Sequence, residues 1–309
     1  MKIPKFLRPG DTVAIIAPSG PVDPEKLAAG ADILRGMGLC VKIFESCFAR
    51  HEYLAGTDAL RLRDLHAAFA DREIRAVLPA RGGYGAARLL PFLDFKLIRM
   101  NPKIFAGYSD ITALHIALNR CAGLVTFHAP MPAADLPNAD EVTIQSFREN
   151  LFLSSRGEEL FEKSFPHKML KKARQARIGH RGHMSKSAHS LEAGNSFPTH
   201  KKNPPLTGGN LTVIASLLGT PYEIDTRGRV LFLEEVGEAA YRVDRMFLQL
   251  KLAGKLRDAE GFVLGDFSGE DIELAVEEIL EPEGKPIVRD FPAGHCMPNL
   301  TFPLGGILV

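Results

Sequence analysis

The sequence Asn101-Pro-Lys-Ile-Phe-Ala-Gly-Tyr-Ser-Asp-Ile-Thr-Ala-Leu-His115 predicts a buried strand that turns abruptly into a helix. Residues 103–106 form a short, mainly apolar run typical of a buried strand, and Gly107 permits a sharp turn. From Ile111 onward the apolar residues recur at helical spacing. Ser109 therefore lies on the tightest part of the bend, where a serine can act as a nucleophile or cap the helix.

The segment Gly107-Tyr108-Ser109-Asp110-Ile111 resembles the strand–turn–helix of serine hydrolases. It lacks the second glycine of the G-x-S-x-G pattern, so on this stretch alone a helix cap is the favoured interpretation.

The first half of the chain alternates strands and helices around this stretch. Apolar runs at 12–17, 39–44, 74–80 and 124–128 predict strands, with helical patterns between them. Such alternation predicts a parallel sheet with helices on both faces, whose functional loops lie at the carboxyl ends of the strands.

One of these loops is rich in glycine, Arg81-Gly82-Gly83-Tyr84-Gly85, and follows the third predicted strand. An amide of Gly82 or Gly83, together with the amide of Asp110, would form an oxyanion hole beside Ser109. A glycine turn that binds no ligand explains the same residues equally well.

The pattern weakens between about 150 and 205. Within 163–202 there are ten Lys or Arg residues against one acid, and the segment contains five of the ten histidines. His180 and His183 are one helical turn apart, but no carboxylate or cysteine cluster accompanies them. A flexible, solvated basic linker is favoured over a metal site. The predicted organisation is an N-terminal domain (1–150), a linker (151–205) and a smaller C-terminal α/β domain (206–309).

Three polar residues of the second half have unusual positions. Glu234 and Glu235 directly follow an apolar strand at 229–233, and His295 lies in a loop bounded by glycine and proline. Each has an ordinary explanation, as the first solvated residue of a loop or as a surface histidine. Together with Ser109 they supply a serine, an acid and a histidine, and geometry rather than chain order defines a catalytic triad.

The totals describe an ordinary globular protein. The chain has 309 residues, 45% of them apolar, a net charge of +1 and four cysteines without C-x-x-C spacing. We expect reduced thiols, no membrane span, no signal peptide, no nucleic-acid binding and a cytoplasmic location. No metal or cofactor motif is evident, and a dinucleotide fingerprint fits poorly because Arg88 stands where a third glycine is required.

Several ordered motifs together resemble the LD-carboxypeptidases, a serine peptidase family that includes muramoyltetrapeptide carboxypeptidase and the microcin C self-immunity peptidases. The matching pieces span nearly the whole chain apart from the basic segment: Ile16-Ala17-Pro18-Ser19-Gly20, Ala55-Gly56-Thr57, Arg81-Gly82-Gly83-Tyr84-Gly85, Gly107-Tyr108-Ser109-Asp110, Gly208-Gly209-Asn210-Leu211, Gly219-Thr220-Pro221, Leu233-Glu234-Glu235-Val236-Gly237-Glu238, Arg242-Val243-Asp244-Arg245-Met246, Gly294-His295 and Leu304-Gly305.

The resemblance implies a catalytic Ser109, with Glu234 rather than Glu235 as the acid and His295 as the base. It also implies an N-terminal domain like that of the class I glutamine amidotransferases, a site between two domains, a homodimer in the bacterial cytoplasm, and no metal or cofactor. For the oxyanion hole we expect the amides of Gly83 and Asp110.

The implied substrate is a murein tetrapeptide, cut between the L-centre of its diamino acid and the terminal D-alanine during cell-wall recycling. We expect Arg81, or else Arg242, to bind the terminal carboxylate, and Glu238 to meet the ammonium of the diamino acid. Two alternatives are an immunity peptidase that cleaves peptidyl-nucleotides and a catalytically weakened protein that binds peptidoglycan fragments. The shortage of aromatic residues, with no Trp and five Tyr, favours murein over the nucleotide.

Overall fold

The computed structural model describes residues 1–152 and 204–305, which form two sheets flanked by helices. The basic segment 163–202 lies outside the described residues, as do His180 and His183. The strands and helices of the described residues are, in chain order, β1 (Thr12–Ile16), α1 (Pro24–Gly36), β2 (Cys40–Ile43), α2 (Asp58–Ala70), β3 (Ile74–Pro79), α3 (Phe95–Met100), β4 (Ile104–Gly107), α4 (Thr112–Ala117), β5 (Thr126–His128), α5 (Glu141–Leu151), β6 (Leu206–Asn210), α6 (Leu211–Ser216), β7 (Val230–Glu234), α7 (Ala240–Leu252), α8 (Lys255–Asp258), β8 (Gly261–Leu264), α9 (Glu273–Ala275), β9 (Ile287–Val288) and β10 (Phe302–Leu304).

The first sheet has six strands in the order β10-β5-β4-β3-β1-β2, all parallel except β10. The packing of β1 explains why its sequence is continuously apolar. Ala14 and Ile16 pack in the core that contains Phe69 of α2, whereas Val13 and Ile15 pack in the core that contains Leu34 of α1. Both faces of the sheet are therefore buried, which confirms the predicted α/β architecture.

The second sheet is parallel, with the order β6-β7-β8-β9. Its strand β6 approaches the first half of the chain very closely. The amide of Asn210 donates to Thr112 Oγ1 at 3.0 Å, and a Cβ placed on Gly209 would lie 2.4 Å from the same oxygen. Apolar side chains of α4 and α6 also join one continuous core. Strand β6 and helix α6 of the second half thus pack directly against α4 of the first half.

Strand β10 returns to the first sheet, although it lies within the range predicted as the C-terminal domain. Phe302 pairs with His128 and Leu304 with Thr126, antiparallel to β5. The Phe302 ring stacks on the His128 ring with centroids 4.7 Å apart, and Gly305 donates to the Leu206 carbonyl at 2.7 Å. The segment is only three residues long, so its sequence pattern could not indicate which sheet it joins.

A buried arginine fastens the loops that follow β1 and β3. Arg61 of α2 is completely buried. Its guanidinium donates to the Pro18 carbonyl, to the Gly85 carbonyl at 2.9 Å and to the Asp58 carboxylate. Because a charge without water must have polar partners, these loops and α2 are fixed as one unit.

We expect Arg61→Met to lower the free energy of unfolding by about 3 kcal/mol, because two buried carbonyls lose their donor. Urea unfolding followed by circular dichroism measures the change. The matched control is Arg88→Met: Arg88 pairs with the same Asp58 at 2.8 Å but is exposed, so its loss should cost less than about 1 kcal/mol. Equal losses of unfolding free energy in the two variants would show that burial does not increase the contribution of Arg61 to stability.

Candidate active site

Ser109 occupies a strained bend directly after β4. Its backbone has φ +63°, in the left-handed region that residues other than glycine seldom adopt. A 3-10 turn, Ser109–Ile111, follows and leads into α4. The N-cap residue of α4 is Ile111, which makes no side-chain capping hydrogen bond. The predicted strand–turn–helix is therefore present, with the strained geometry that exposes a nucleophile.

His295 lies between the serine and an acid. Its Nε2 is 3.2 Å from Ser109 Oγ, and its Nδ1 is 2.8 Å from Glu234 Oε2. The structure thus brings together all three residues that were expected to form the triad. With Nδ1–H donated to the carboxylate, Nε2 carries the lone pair and can accept the serine proton.

Glu234 is the last residue of β7 and is fully buried. Glycine is required beside it: a Cβ on Gly294 would lie 2.8 Å from Glu234 Oε2, and Gly294 has φ +115°. The second carboxylate oxygen, Oε1, has no hydrogen-bond partner within the described residues. The carboxylate is therefore directed mainly at the imidazole.

Glu235, the neighbouring acid, has a different task. Its Oε2 accepts from the Thr212 amide at 2.7 Å, and its Oε1 accepts from Asn210 Nδ2 at 3.1 Å and from its neighbour's amide, Val236, at 2.9 Å. Since Thr212 lies in the first turn of α6, Glu235 satisfies one free amide at this helix N-terminus. Its carboxylate makes no hydrogen bond to His295.

The loop that carries His295 is held by residues of the first half of the chain. Asn299 Oδ1 accepts from the Gly294 amide at 3.1 Å, and His128 Nε2 lies 3.0 Å from the same oxygen. The Asn299 amide donates to Thr143 Oγ1 of α5 at 2.9 Å. Burial lowers the pKa of His128 to about 3, so this ring is neutral and donates its Nε2 proton to Asn299.

The charges at the site favour protonation of His295. Burial lowers its pKa, but the hydrogen bond and charge of Glu234, with smaller contributions from Asp135 and Glu235, outweigh burial and raise the pKa above the ordinary value of 6.5. Burial also raises the pKa of Glu234. A carboxylate that stabilises the imidazolium helps the ring to take up a proton during a reaction.

The glycine loop after β3 lies against the serine, through Gly82 rather than Gly83. A Cβ on Gly82 would be 2.9 Å from Ser109 Oγ and 3.4 Å from the Asp110 amide nitrogen, whereas Gly83 lies against Gly20. Only glycine leaves room for a carbonyl group to approach the hydroxyl here. The Asp110 side chain locks this arrangement, because its Oδ2 accepts from Ser19 Oγ at 2.6 Å and from the Ala86 amide at 2.8 Å. The oxyanion role of the Gly83 and Asp110 amides stays a prediction.

The three residues expected to bind substrate occupy two places. Arg81 is exposed at the start of the glycine loop and donates to the Pro21 carbonyl at 3.3 Å. Arg242 and Glu238 lie beyond β7 and pair with each other at 3.2 Å. Arg81 is therefore adjacent in the chain to Gly82, which contacts the serine, while Glu238 already has a cationic partner.

The sequence did not point to Arg61, Asn299 or Tyr108 as residues that build the site. A signal for Arg61 was present: it lies four residues before Leu65, on the apolar face of α2, where a cation must be buried and paired. Asn299 and Tyr108 gave no comparable signal, because their partners are distant in the chain.

Comparison with known proteins identifies the family. The model of the LD-carboxypeptidase N-terminal domain matches residues 13–129, and that of the LD-carboxypeptidase C-terminal domain matches residues 203–308. A probable murein peptide carboxypeptidase from Bacillus subtilis is 40% identical over 98% of this chain and 89% of its own length. The chain belongs to the LD-carboxypeptidase family, and this membership makes it a peptidase of the carboxypeptidase class.

Solved structures agree with this assignment. The MccF-like protein from Bacillus anthracis superposes with a TM-score of 0.80 at 26% identity, over 99% of this chain and 94% of its own. The muramoyltetrapeptide carboxypeptidase from Oxalobacter formigenes gives 0.72 at 29% identity, over 96% and 93% of the two chains. Among the described residues, no helix is long and apolar enough to cross a membrane.

We expect Glu234→Gln to slow labelling of Ser109 by a fluorophosphonate about 100-fold or more, because the imidazole loses the carboxylate that orients it and stabilises its charge.

The rate of labelling of the wild type should rise with pH as His295 loses its proton, with the midpoint above 6.5 because the pKa of His295 is raised. Mass spectrometry of the adduct measures the rate.

The matched control is Glu235→Gln, which removes the neighbouring charge without touching the imidazole. This variant should have a lower free energy of unfolding, because the Thr212 amide loses its acceptor, while the rate of Ser109 labelling changes little. Similar losses of labelling in the two variants would contradict the distinction between the two acids.

Proposed function

We propose that the protein is a serine carboxypeptidase in which Ser109 attacks the carbonyl of the scissile bond. His295 takes the Ser109 proton on Nε2 and then passes it to the leaving amine, and Glu234 fixes the imidazole tautomer and stabilises its charged form. The observation that carries the proposal is the unbroken chain of contacts, Oγ–Nε2 at 3.2 Å and Nδ1–Oε2 at 2.8 Å.

The first step forms a tetrahedral intermediate, whose oxyanion we assign to backbone amides of the glycine loop and Asp110. Expulsion of the amine leaves an acyl-enzyme on Ser109. Water then attacks the ester, with His295 again as the base, and the acid product leaves. The strained bend keeps the hydroxyl at the carboxyl edge of the first sheet throughout, so little reorganisation is needed.

The substrate we propose is a murein tetrapeptide, cut at the L,D bond to release terminal D-alanine in cell-wall recycling. The family assignment and the names of the Bacillus subtilis and Oxalobacter formigenes proteins support this class of peptide. The cytoplasmic location and the homodimer stay predictions.

We expect the purified protein to release D-alanine from murein tetrapeptide, and Ser109→Ala to reduce release by a factor of about 10⁴ or more because the nucleophile is lost. Mass spectrometry of the products measures the reaction. A peptidyl-nucleotide is incubated in parallel. Cleavage of the nucleotide substrate alone would favour the immunity-type peptidase, and binding of the tetrapeptide without cleavage or Ser109 labelling would favour a binding protein.

We further propose that Arg81 binds the terminal carboxylate of the peptide. Glu238 is paired with Arg242, so its expected contact with the ammonium of the diamino acid stays a prediction. Arg81 is the cation adjacent to the loop that contacts Ser109, and it is exposed to solvent. Arg242, the second choice, is engaged with Glu238.

For Arg81→Ala we expect kcat/KM to fall about 10- to 100-fold, chiefly through KM, because a charge-assisted hydrogen bond to the substrate is lost. Steady-state kinetics with the free-acid tetrapeptide and with its C-terminal amide separates the contributions. The variant should lose the preference for the free acid, and Arg242→Ala should retain it. Unchanged kcat and KM in Arg81→Ala would exclude the role.

A further inference from the structure

Tyr108 contacts both the His295 imidazole and a second carboxylate, that of Asp135. The Tyr108 hydroxyl donates to Asp135 Oδ1 at 2.7 Å, and the Tyr108 ring lies 4.9 Å from the His295 ring, tilted by 59°. Asp135 Oδ2 accepts from the Met131 amide at 2.7 Å. Burial raises the pKa of Asp135 above its ordinary value and outweighs these two hydrogen bonds, which lower it. The Asp135 charge in turn contributes to the raised pKa of His295.

Several titratable or charged groups face His295 from the elements packed around it. They come from the ends of β4 and β7, from the loop after β5 and from the loop of His295 itself, and they are Ser109, Tyr108, Glu234, Glu235, His128, Asp135 and Cys296. Burial keeps His128 neutral, raises the pKa of the Cys296 thiol to about 12 and raises the pKa of Tyr108 far above its ordinary value. The carboxylates remain the groups that can stabilise an imidazolium.

We propose that Tyr108 and Asp135 form a positioning pair that supports the His295 ring and stabilises its protonated form from outside the triad. The pair touches neither Ser109 Oγ nor Glu234 by any hydrogen bond within the described residues. Its catalytic consequence rests on the proposed function, whereas its effect on the imidazole concerns the free protein.

An aromatic ring in contact with an imidazolium stabilises its charge, and the tyrosine ring becomes more electron-rich when its hydroxyl donates to a carboxylate. The Tyr108 side chain links the Asp135 charge to the imidazole in a buried region, where screening by water is weak. Both effects grow when His295 takes the serine proton, so the pair stabilises the transition state more than the resting enzyme.

The test is a titration of the histidine rings by NMR, in the full protein labelled with ¹⁵N-histidine and without substrate. The His295 signal is assigned from its absence in His295→Asn. We expect Asp135→Asn to lower the pKa of His295 by a few tenths to about one unit, because an anion near the imidazole is lost. Tyr108→Phe keeps the ring but loses the donor to Asp135, and should shift the pKa in the same direction by less.

Asp32→Asn is the matched control, since Asp32 is an exposed carboxylate that pairs with Arg35 on α1, and it should leave the His295 pKa unchanged. An unchanged His295 pKa in Asp135→Asn overturns the proposal. If that variant does not fold, Tyr108→Phe decides in the same way.

The acid limb of the kcat/KM profile should move to lower pH together with the NMR value. A purely structural role would reduce activity without moving either pKa, and would overturn the proposal. Failure to cleave the tetrapeptide would instead refute the proposed function and leave the NMR result standing.

Discussion

The hydrogen bond between His295 Nδ1 and the buried Glu234 carboxylate, 2.8 Å long, is the interaction on which the site depends. It joins the end of a strand in the second sheet to a loop that runs back toward the first sheet, where Ser109 lies. The Glu234 carboxylate is fully buried and needs a donor, which the partly buried imidazole supplies. This hydrogen bond in turn directs Nε2 toward the serine.

The scaffold around this bond reduces the freedom of each partner. Gly294 lets the loop backbone pack directly on the Glu234 carboxylate, and Asn299 ties the loop to His128 and Thr143. On the other side, Asp110 holds the loops that surround Ser109. Each connection is a hydrogen bond buried among apolar side chains, where an unpaired group is costly. These contacts explain how the site is held from two sheets.

Much of the architecture could be predicted from sequence because its signals are local. Apolar runs mark buried parallel strands, and Gly107 before Ser109 marks the bend. The roles of Glu235 and Arg61 could not be read in the same way. Glu234 and Glu235 are consecutive acids at the end of the same apolar run, so the sequence pattern does not distinguish their roles. The directions of the two side chains do, since successive residues of a strand point to opposite sides. Arg61 also binds the distant carbonyls of Pro18 and Gly85, and Asn299 binds the distant His128 and Thr143, so pattern and spacing carry no information about these contacts. Strand β10 has only three residues, and tertiary packing decides which of the two sheets it joins.

The backbone of Ser109 stores conformational strain at φ +63°, which a glycine would not experience. Replacing Ser109 with glycine would therefore relieve the strain at the bend and remove the hydroxyl in a single change. Stability alone does not explain a serine at this position, which agrees with the chemical role proposed for its hydroxyl.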